Sequence, residues 1–310
     1  MIGITQRREQ GLKDPLLREV MESLGMDSVP LYDAEPPEKT ANKAMIAALG
    51  ERRDGEVAPD RVAVGDTVAL TERVKGMARD AGADIVGVAK LQSLFIDRGV
   101  DLPHDVVLCM GVHEAYGQVI EGADAVEHEA SRVYAECARI SDEMARTIRA
   151  MGYPALAHHN GGCGIQAIPA LYHAGFGELG RHGSLINPQF GANFRPGIVT
   201  TTMPLEPDAP YEFGVADYCE SCNLCSNNCP GDAIAETPIE TAGLRRWIVD
   251  TAKCYPYSRL RTEYCHICVD GCPYIHKENG NADYRRVYKQ YMRARKQAGY
   301  KTPKQAGAGA

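Results

Sequence analysis

Eight of the chain's eleven cysteines fall in two short runs. The first, CESCNLCSNNCP, carries Cys219, Cys222, Cys225 and Cys229 and closes on Pro230. The second, CYPYSRLRTEYCHICVDGCP, carries Cys254, Cys265, Cys268 and Cys272 and closes on Pro273. Thiols this dense are either oxidised in pairs or bound to metal. No apolar stretch follows Arg7-Arg8, and QGLKDPLLREVMESLGMD reads as an amphipathic helix rather than a secretory segment. The expectation is therefore a cytoplasmic protein, in a reducing compartment where such spacing suggests metal.

The spacing decides which metal. Cys219-x2-Cys222-x2-Cys225-x3-Cys229-Pro230 is the arrangement that holds a [4Fe-4S] cluster when a second cluster lies beside it. Three thiolates on a tight turn cap three corners of the cubane, and the fourth, opening the next helix, points away to the other cluster. Pro230 suits that helix start, where its missing N–H is not needed. In the second run Cys265-x2-Cys268-x3-Cys272-Pro273 keeps the pattern, and the first cysteine is displaced upstream to Cys254. The crossed pairing of such sites assigns Cys219, Cys222, Cys225 and Cys272 to one cluster, and Cys229, Cys254, Cys265 and Cys268 to the other. The competing reading is zinc, whose ligands come as two well-separated CxxC pairs; three thiols in close succession before a Cys-Pro, twice over, fit it poorly. Cys109, Cys137 and Cys163 lie among apolar or small residues and are expected as buried thiols.

The rest of the chain reads as mixed α and β. Residues 1–30 read as helix, and YDAEPPEKTAN at 32–42 as a charged, Pro-rich connector. NKAMIAALGERR follows as a short helix, and RVAVGDTVAL at 61–70 as strand or extended loop. TERVKGMARDAG predicts a helix capped by Thr71 and closed by Gly82. DIVGVA, DVVLCMGV and YPALAHH read as strands. Between the last two, 132–152 is strongly amphipathic: Val133, Cys137, Ile140, Met144 and Ile148 share one face, with Arg132, Glu136, Arg139, Glu143 and Arg146 opposite. CGIQAIPALYHAG predicts another helix. YRRVYKQYMRARK is a basic helix with Tyr284, Tyr288 and Tyr291 on one side, before a mobile KTPKQAGAGA tail. The expected division is a helical segment over 1–60, an α/β or α+β core over 61–210, a two-cluster domain over 211–280 and the basic C-terminal segment over 281–310. No apolar run is long enough for a membrane span. A net charge of −7 argues against general nucleic-acid affinity.

Four segments in this order, ARDAGADIVGVA, ARISDEMARTIRAMGY, IPALYHAGFGELGRHGSLINPQFGANFR and TTMPLEPDAPYEFGVADYCESCNLCSNNCP, resemble the core of the cobalamin-dependent reductive dehalogenases and of their sister family, epoxyqueuosine reductase. The resemblance covers about residues 71–275, and AGFGELGRHG with the displaced-cysteine run is its most specific part. It implies a nitroreductase-like core that binds a base-off corrinoid, followed by a bacterial-ferredoxin-like domain with two [4Fe-4S] clusters. It implies an external ferredoxin or flavodoxin as electron donor, a small-molecule organohalide as substrate, and Co(I) as the species that attacks it. A homodimer is left open.

The same resemblance implies that Tyr134 delivers the proton, that Arg195 in GANFRPGI steadies the phenolate, and that Asn160 in HHNGG assists. A phenol is a weak acid at neutral pH, and a neighbouring cation favours its ionised form. From the residues alone, Tyr134 is equally a packed ring, Arg195 a turn residue before Pro196, and Asn160 a turn former before two glycines. His158 and His159, adjacent in a strand, are expected to face opposite ways, one of them toward the corrin. Gly175, Gly177, Gly180 and Gly183 would let backbone approach a flat macrocycle, and Arg181 and His182 would touch its amides or nucleotide tail. Tyr134 stands where epoxyqueuosine reductase has an Asp, which favours dehalogenation over reduction of a non-halogenated substrate. A plain electron-transfer protein is the alternative of another class. With one Trp and five Phe, the chain departs from the aromatic substrate pockets of the dehalogenases.

Overall fold

The computed structural model describes residues 37–160, 162–241, 244–258, 265–279 and 293. The helix expected over 1–30 and the basic helix carrying Tyr284, Tyr288 and Tyr291 lie outside the described residues. Helix α1 (Pro37–Glu51) opens on a proline, the residue best tolerated in a first turn. Part of the expected connector is therefore helical. Helix α2 (Thr67–Asp80) begins earlier than expected, because Asp66 and not Thr71 caps it: the carboxylate accepts from the N–H groups of Val68 and Ala69. Thr71 instead turns its hydroxyl back onto the Thr67 carbonyl at 2.7 Å.

Strands β1 (Ile85–Lys90) and β2 (Val106–His113) lead through a short helix α3 (Tyr116–Glu121) to the long helix α4 (Ala123–Ala150). Strand β3 (Ala155–His158), helix α5 (Ala167–His173), a small hairpin of β4 (Glu178–Leu179) and β5 (Leu185–Ile186), and strand β6 (Phe194–Thr201) complete the core. The main sheet has the order β1-β2-β6-β3, with every neighbouring pair antiparallel. That is the α+β branch of the expectation. Because β6 lies between them, β2 and β3 run the same way, and α4 is the crossover that joins them.

Burial explains the unbroken apolar run of β2. Leu108 and Met110 pack with α2 and α4 on one face of the sheet, while Val107 and Cys109 pack with Leu171, Phe176 and Leu185 on the other. A strand covered on both sides has no polar face to alternate with. On α4 the expected apolar stripe is buried, Val133, Cys137, Ile140, Met144 and Ile148 all at 1% exposure or less. Its other face carries ion pairs from Arg132 to Glu129, from Arg139 to Glu136 and Glu143, and from Arg146 to Asp142.

Helices α6 (Val215–Cys222) and α7 (Leu224–Asn227), the hairpin β7 (Ile239–Thr241) and β8 (Leu244–Arg246), helix α8 (Thr251–Ser258), helix α9 (Ile267–Asp270) and a 3-10 turn Pro273–Asn279 hold the two cysteine runs. The expected helix after Pro230 is absent: Pro230 and Gly231 form a turn. Pro273 does open a helical turn. Trp247, 2% exposed, centres a separate apolar cluster with Val215, Cys219, Cys272 and Ile275. Among the described residues no helix is long and apolar enough to cross a membrane.

Candidate active site and thiol clusters

One cavity of about 380 Å³ is lined by Tyr134, His158, His159, Asn160 and Arg195 together with Cys163, Ile168, Leu171, Phe194, Ile198 and Val269. Three elements bring the polar groups there. Arg195 is the second residue of β6 and pairs in register with Val112 of β2. Tyr134 comes from α4, which lies unusually close to β6: a Cβ on Gly197 would meet Ser141 Oγ at 2.5 Å and the Cys137 carbonyl at 2.7 Å. Cys137 Sγ donates to the Arg195 carbonyl at 3.2 Å. That close approach puts the Arg195 guanidinium carbon 5.3 Å from the centre of the Tyr134 ring, a cation–π distance.

His158 and His159 line the same cavity, against the expectation that they face apart. Strand alternation fails because β3 ends at His158, and His159 forms an isolated antiparallel bridge with Gly162. His158 Nε2 contacts Thr200 Oγ1 at 2.9 Å, while its Nδ1 is buried without a partner. Burial, and then the charge of Arg53, pushes His158 down to about 3, so it is neutral. Asn160 is exposed at the mouth. Cys163 is also exposed there, not buried as expected; the loop that carries it opens onto the cavity.

The glycines of the 175–183 segment turn toward the protein itself. A Cβ on Gly175 would meet the Ala209 carbonyl at 2.8 Å, and one on Gly177 the Ile186 carbonyl at 2.0 Å. Gly180 faces Ile186 and His182, and Gly183 faces Val249. Their lack of a side chain closes the β4–β5 hairpin and seats it on the cysteine-bearing unit. Arg181 does likewise: its Nε and Nη2 donate to the Cys219 carbonyl at 3.0 and 2.9 Å, its Nη1 donates to the Glu236 carbonyl at 2.7 Å, and it lies 4.8 Å over Trp247. Its fork is used by protein carbonyls, so it bolts the hairpin to the cysteine-bearing unit while it also lines the cavity beside the thiols.

His182 faces differently. Its Nδ1 accepts from the Ser184 N–H at 3.2 Å, which places the ring proton on Nε2, and that nitrogen is buried with no partner. His182 lines two further cavities. One is bounded by Cys219, Cys222, Cys225 and Cys272. The other, about 550 Å³, runs between α5 and the β7–β8 hairpin, where Trp247 Nε1 is also without a partner. This second cavity shares Ile168 and Ser184 with the Tyr134 cavity. Ile168 and Ser184 thus wall off the Tyr134 cavity from the second one, and His182 stands between the second and the one beside the thiols.

Cys219, Cys222, Cys225 and Cys272 bound one small cavity, and Cys225 also clusters with Cys229, Cys254 and Cys268. Cys272, from the second run, lies in the field of Cys219, Cys225 and Cys222 of the first. Cys265 lies in the field of Cys254 and Cys229, and Cys268 in that of Cys265, Cys225 and Cys254. Burial first and then the neighbouring thiols push Cys225 up to about 12 and Cys265 up to about 11, with Cys268 and Cys272 raised as well. Such a crowd of buried thiols favours a cation among them. No three His, Cys, Asp or Glu side chains among the described residues converge as a single ion requires.

Glu114, His266 and Asp270 were not singled out by the sequence, yet they back the Arg195 guanidinium. Glu114 Oε1 accepts from Arg195 Nε at 2.8 Å, His266 Nε2 lies 3.5 Å from Arg195 Nη2, and Asp270 Oδ1 is 2.7 Å from His266 Nδ1. The only local signal was an acid at the end of an apolar strand, in VLCMGVHEAY.

No family model matches the chain. The tetrachloroethene reductive dehalogenase of Sulfurospirillum multivorans is 32% identical over 256 residues, covering 67% of this chain and 51% of that protein. An epoxyqueuosine reductase of Leadbetterella byssophila is 32% identical over a shorter 117 residues, 33% of this chain and 34% of that protein. Among solved structures, a catabolic reductive dehalogenase in complex with 3-bromo-4-hydroxybenzoic acid superposes with a TM-score of 0.72 at 25% identity, covering 82% of this chain and 39% of the other. A reductive dehalogenase whose structure suggests a mechanism for B12-dependent dehalogenation gives a TM-score of 0.71 at 25% identity, over 81% of this chain and 39% of the other. The chain spans about half the length of the curated relatives it matches.

Proposed function

The chain is a homologue of the reductive dehalogenases, and from that premise we infer that it is a corrinoid- and iron–sulfur-dependent oxidoreductase that replaces a halogen on an organohalide by hydrogen. The overall change takes two electrons and one proton and releases halide: R–X + 2e⁻ + H⁺ → R–H + X⁻. The observation that carries this reading is that Tyr134, Arg195, Asn160 and His158 line one cavity, that a second cavity shares Ile168 and Ser184 with it, and that His182 lines both that second cavity and the one bounded by Cys219, Cys222, Cys225 and Cys272.

The residues present fit the groups this chemistry needs. His158 Nδ1, His182 Nε2 and Trp247 Nε1 are buried polar atoms without protein partners, on residues that line these neighbouring cavities. A buried N–H normally has an acceptor, and the amide-rich rim of a corrinoid offers several. Eight thiols suit two [4Fe-4S] clusters, held by Cys219, Cys222, Cys225 and Cys272 and by Cys229, Cys254, Cys265 and Cys268. When bound, the corrinoid supplies the low-valent cobalt chemistry that removes the halogen, and the clusters supply its electrons.

The chain's own residues do the rest. The Tyr134 hydroxyl gives its proton to the substrate carbon. The Arg195 cation, over the ring at 5.3 Å, stabilises the phenolate left behind. Asn160, at the mouth, orients the substrate by its amide. Ile168, Leu171, Phe194, Ile198 and Val269 form an apolar wall that suits a halogenated aromatic or alkene and keeps water from competing as proton donor. The nitroreductase-like description of the core, the ferredoxin-like description of the cysteine unit, the domain limits 61–210 and 211–280, a cytoplasmic setting for the eleven cysteines and a separate ferredoxin or flavodoxin donor belong to the same proposal.

The test is reconstitution of the full chain with cobalamin, iron and sulfide, followed by metal analysis, an absorbance spectrum and halide release from a bromophenol or from tetrachloroethene. Uptake of both cofactors with halide release is expected. Full iron content without corrinoid uptake overturns the reading in favour of an electron carrier. Corrinoid uptake without halide release moves it to a reductase of another substrate.

A further inference from the structure

Arg195 is held from behind by groups that do not line the cavity. We propose that Glu114, together with His266 and Asp270, is the positioning set that keeps the Arg195 guanidinium against Tyr134, so that the proton-donating pair is complete only when the cysteine loop 265–272 is folded onto the core. This deepens the reading of Tyr134 and Arg195 given above and rests on it.

The bracket closes on itself. Glu114 follows β2 directly; its N–H donates to the Asn193 carbonyl at 2.9 Å, and Asn193 Nδ2 donates back to the Glu114 carbonyl at 3.3 Å. The β2–β6 register therefore sets Glu114 beside Arg195. From Glu114 the guanidinium is gripped at Nε, and its Nη2 side faces His266. Asp270 Oδ1 lies 2.7 Å from His266 Nδ1 and fixes the ring so that its Nε2 edge is turned toward Arg195. The Asp270 carbonyl accepts from His276 Nε2 at 3.1 Å, and His276 Nδ1 meets the Tyr116 hydroxyl at 2.8 Å. Tyr116 opens α3, two residues after Glu114. The path thus runs from the end of β2 through the second cysteine run and back to the end of β2.

The energetics favour positioning over stability as the reason for this arrangement. Glu114 is 0% exposed, and its Oε2 is buried without a partner. Burying a carboxylate costs several kcal/mol, and one salt bridge rarely returns more than that. A long Arg side chain held by nothing would sample many rotamers and leave the Tyr134 ring. Glu114 removes that freedom while staying out of the cavity. His266 and Asp270 add a second condition: both lie within the run that carries Cys265, Cys268 and Cys272, so this side of the grip exists only when that run is ordered. The proton donor and the electron path are then assembled by the same loop.

The experiment uses the full chain carrying its iron, as Glu114→Gln, His266→Gln and Arg195→Gln, with iron content as the control for cluster assembly. In protein without corrinoid, labelled with 3-fluorotyrosine, the ¹⁹F resonance of residue 134 is assigned by Tyr134→Phe. It is expected to shift in the same direction in all three variants, because each takes the guanidinium off the ring. In reconstituted protein, Glu114→Gln and His266→Gln are expected to lower kcat for halide release by about 10–100-fold, with KM within about twofold and Glu114→Asp recovering part of the loss. If Arg195→Gln leaves the resonance in place, the Tyr134–Arg195 reading itself fails. If Arg195→Gln moves it and the other two do not, the bracket alone is overturned. Should Glu114→Gln not fold, His266→Gln decides the question alone by the same two readouts.

Discussion

At the scale of single residues, the cavity combines groups whose ionisation the fold controls with groups whose geometry it controls. His158 belongs to the first kind. Burial, with help from Arg53, brings it down to about 3, against about 6.5 for an unfolded histidine. Above about pH 6.5 the imidazole is neutral in both states and contributes no pH dependence. Between about 6.5 and 3 the unfolded chain takes up a proton that the folded chain refuses, so stability falls as pH falls. Urea unfolding followed across that range is expected to show this loss, on the order of a few kcal/mol, and His158→Gln is expected to flatten it. Tyr134 belongs to the second kind. Tyr134→Phe keeps the ring under Arg195 and removes only the hydroxyl, so corrinoid and iron loading are expected to stay while halide release is lost; unchanged turnover would assign the proton to another group. What could be read at this scale follows chain distance. The eight thiols crowd into two runs by local spacing, and the runs are visible in the string. Tyr134 and Arg195 come into view only through resemblance, since their contact depends on how α4 crosses β6. Glu114 and His266 were invisible, standing 81 and 71 residues from the arginine they hold.

At the scale of elements, periodicity located helices and strands better than it located their ends. The apolar stripe of α4 is legible because every fourth or third residue must face the sheet, yet the helix starts nine residues before the amphipathic stretch, where small and charged residues mask the pattern. Asp66 outcompeted Thr71 as a cap because its carboxylate reaches two free N–H groups. Asp66→Ala is accordingly expected to cost about 1 kcal/mol, read as a lower melting temperature with the site intact. The α4–β6 contact tests how tightly an element positions the site. At Gly197 there is no room for a Cβ, with Ser141 Oγ and the Cys137 carbonyl already at 2.5 and 2.7 Å. Gly197→Ala must therefore push α4 away from β6, at a cost of about 1–3 kcal/mol. Because Tyr134 rides on α4 and Arg195 on β6, the same substitution is expected to lower turnover more than a surface change of equal destabilisation would, which halide-release rates set beside urea midpoints will show.

At the scale of the whole molecule, the sheet-based core and the cysteine-bearing unit share one apolar cluster, in which Val119, Val126 and Ile186 meet Val215, Trp247 and Ile275, and polar attachments fix the two at its edges. Arg181 bolts the β4–β5 hairpin to the carbonyls of Cys219 and Glu236, and Glu178 accepts from the N–H groups of Val215 and Ala216 at the start of α6. Val269, between Cys268 and Asp270, reaches the Tyr134 cavity itself. The sequence suggested a core over 61–210 and a cysteine unit over 211–280 but none of these attachments, in which side chains meet backbone groups far off in the chain and leave no compositional trace. The crossed grouping of thiols depends on the same long-range closure, and it can be tested by subtraction. If Cys272 completes the set with Cys219, Cys222 and Cys225, then Cys272→Ala removes one cluster and spares the one on Cys229, Cys254, Cys265 and Cys268, so about half the iron is expected to remain. Cys229→Ala should also remove about half, but the other half. Electron paramagnetic resonance of the two reduced variants should then give two different single-cluster spectra whose sum approximates the parent. An uncrossed site predicts the reverse partition, since Cys272→Ala would then spare the cluster on the first run. The discriminating measurement is Cys219→Ala: crossed pairing requires its residual spectrum to match that of Cys272→Ala, whereas an uncrossed arrangement requires it to match that of Cys229→Ala.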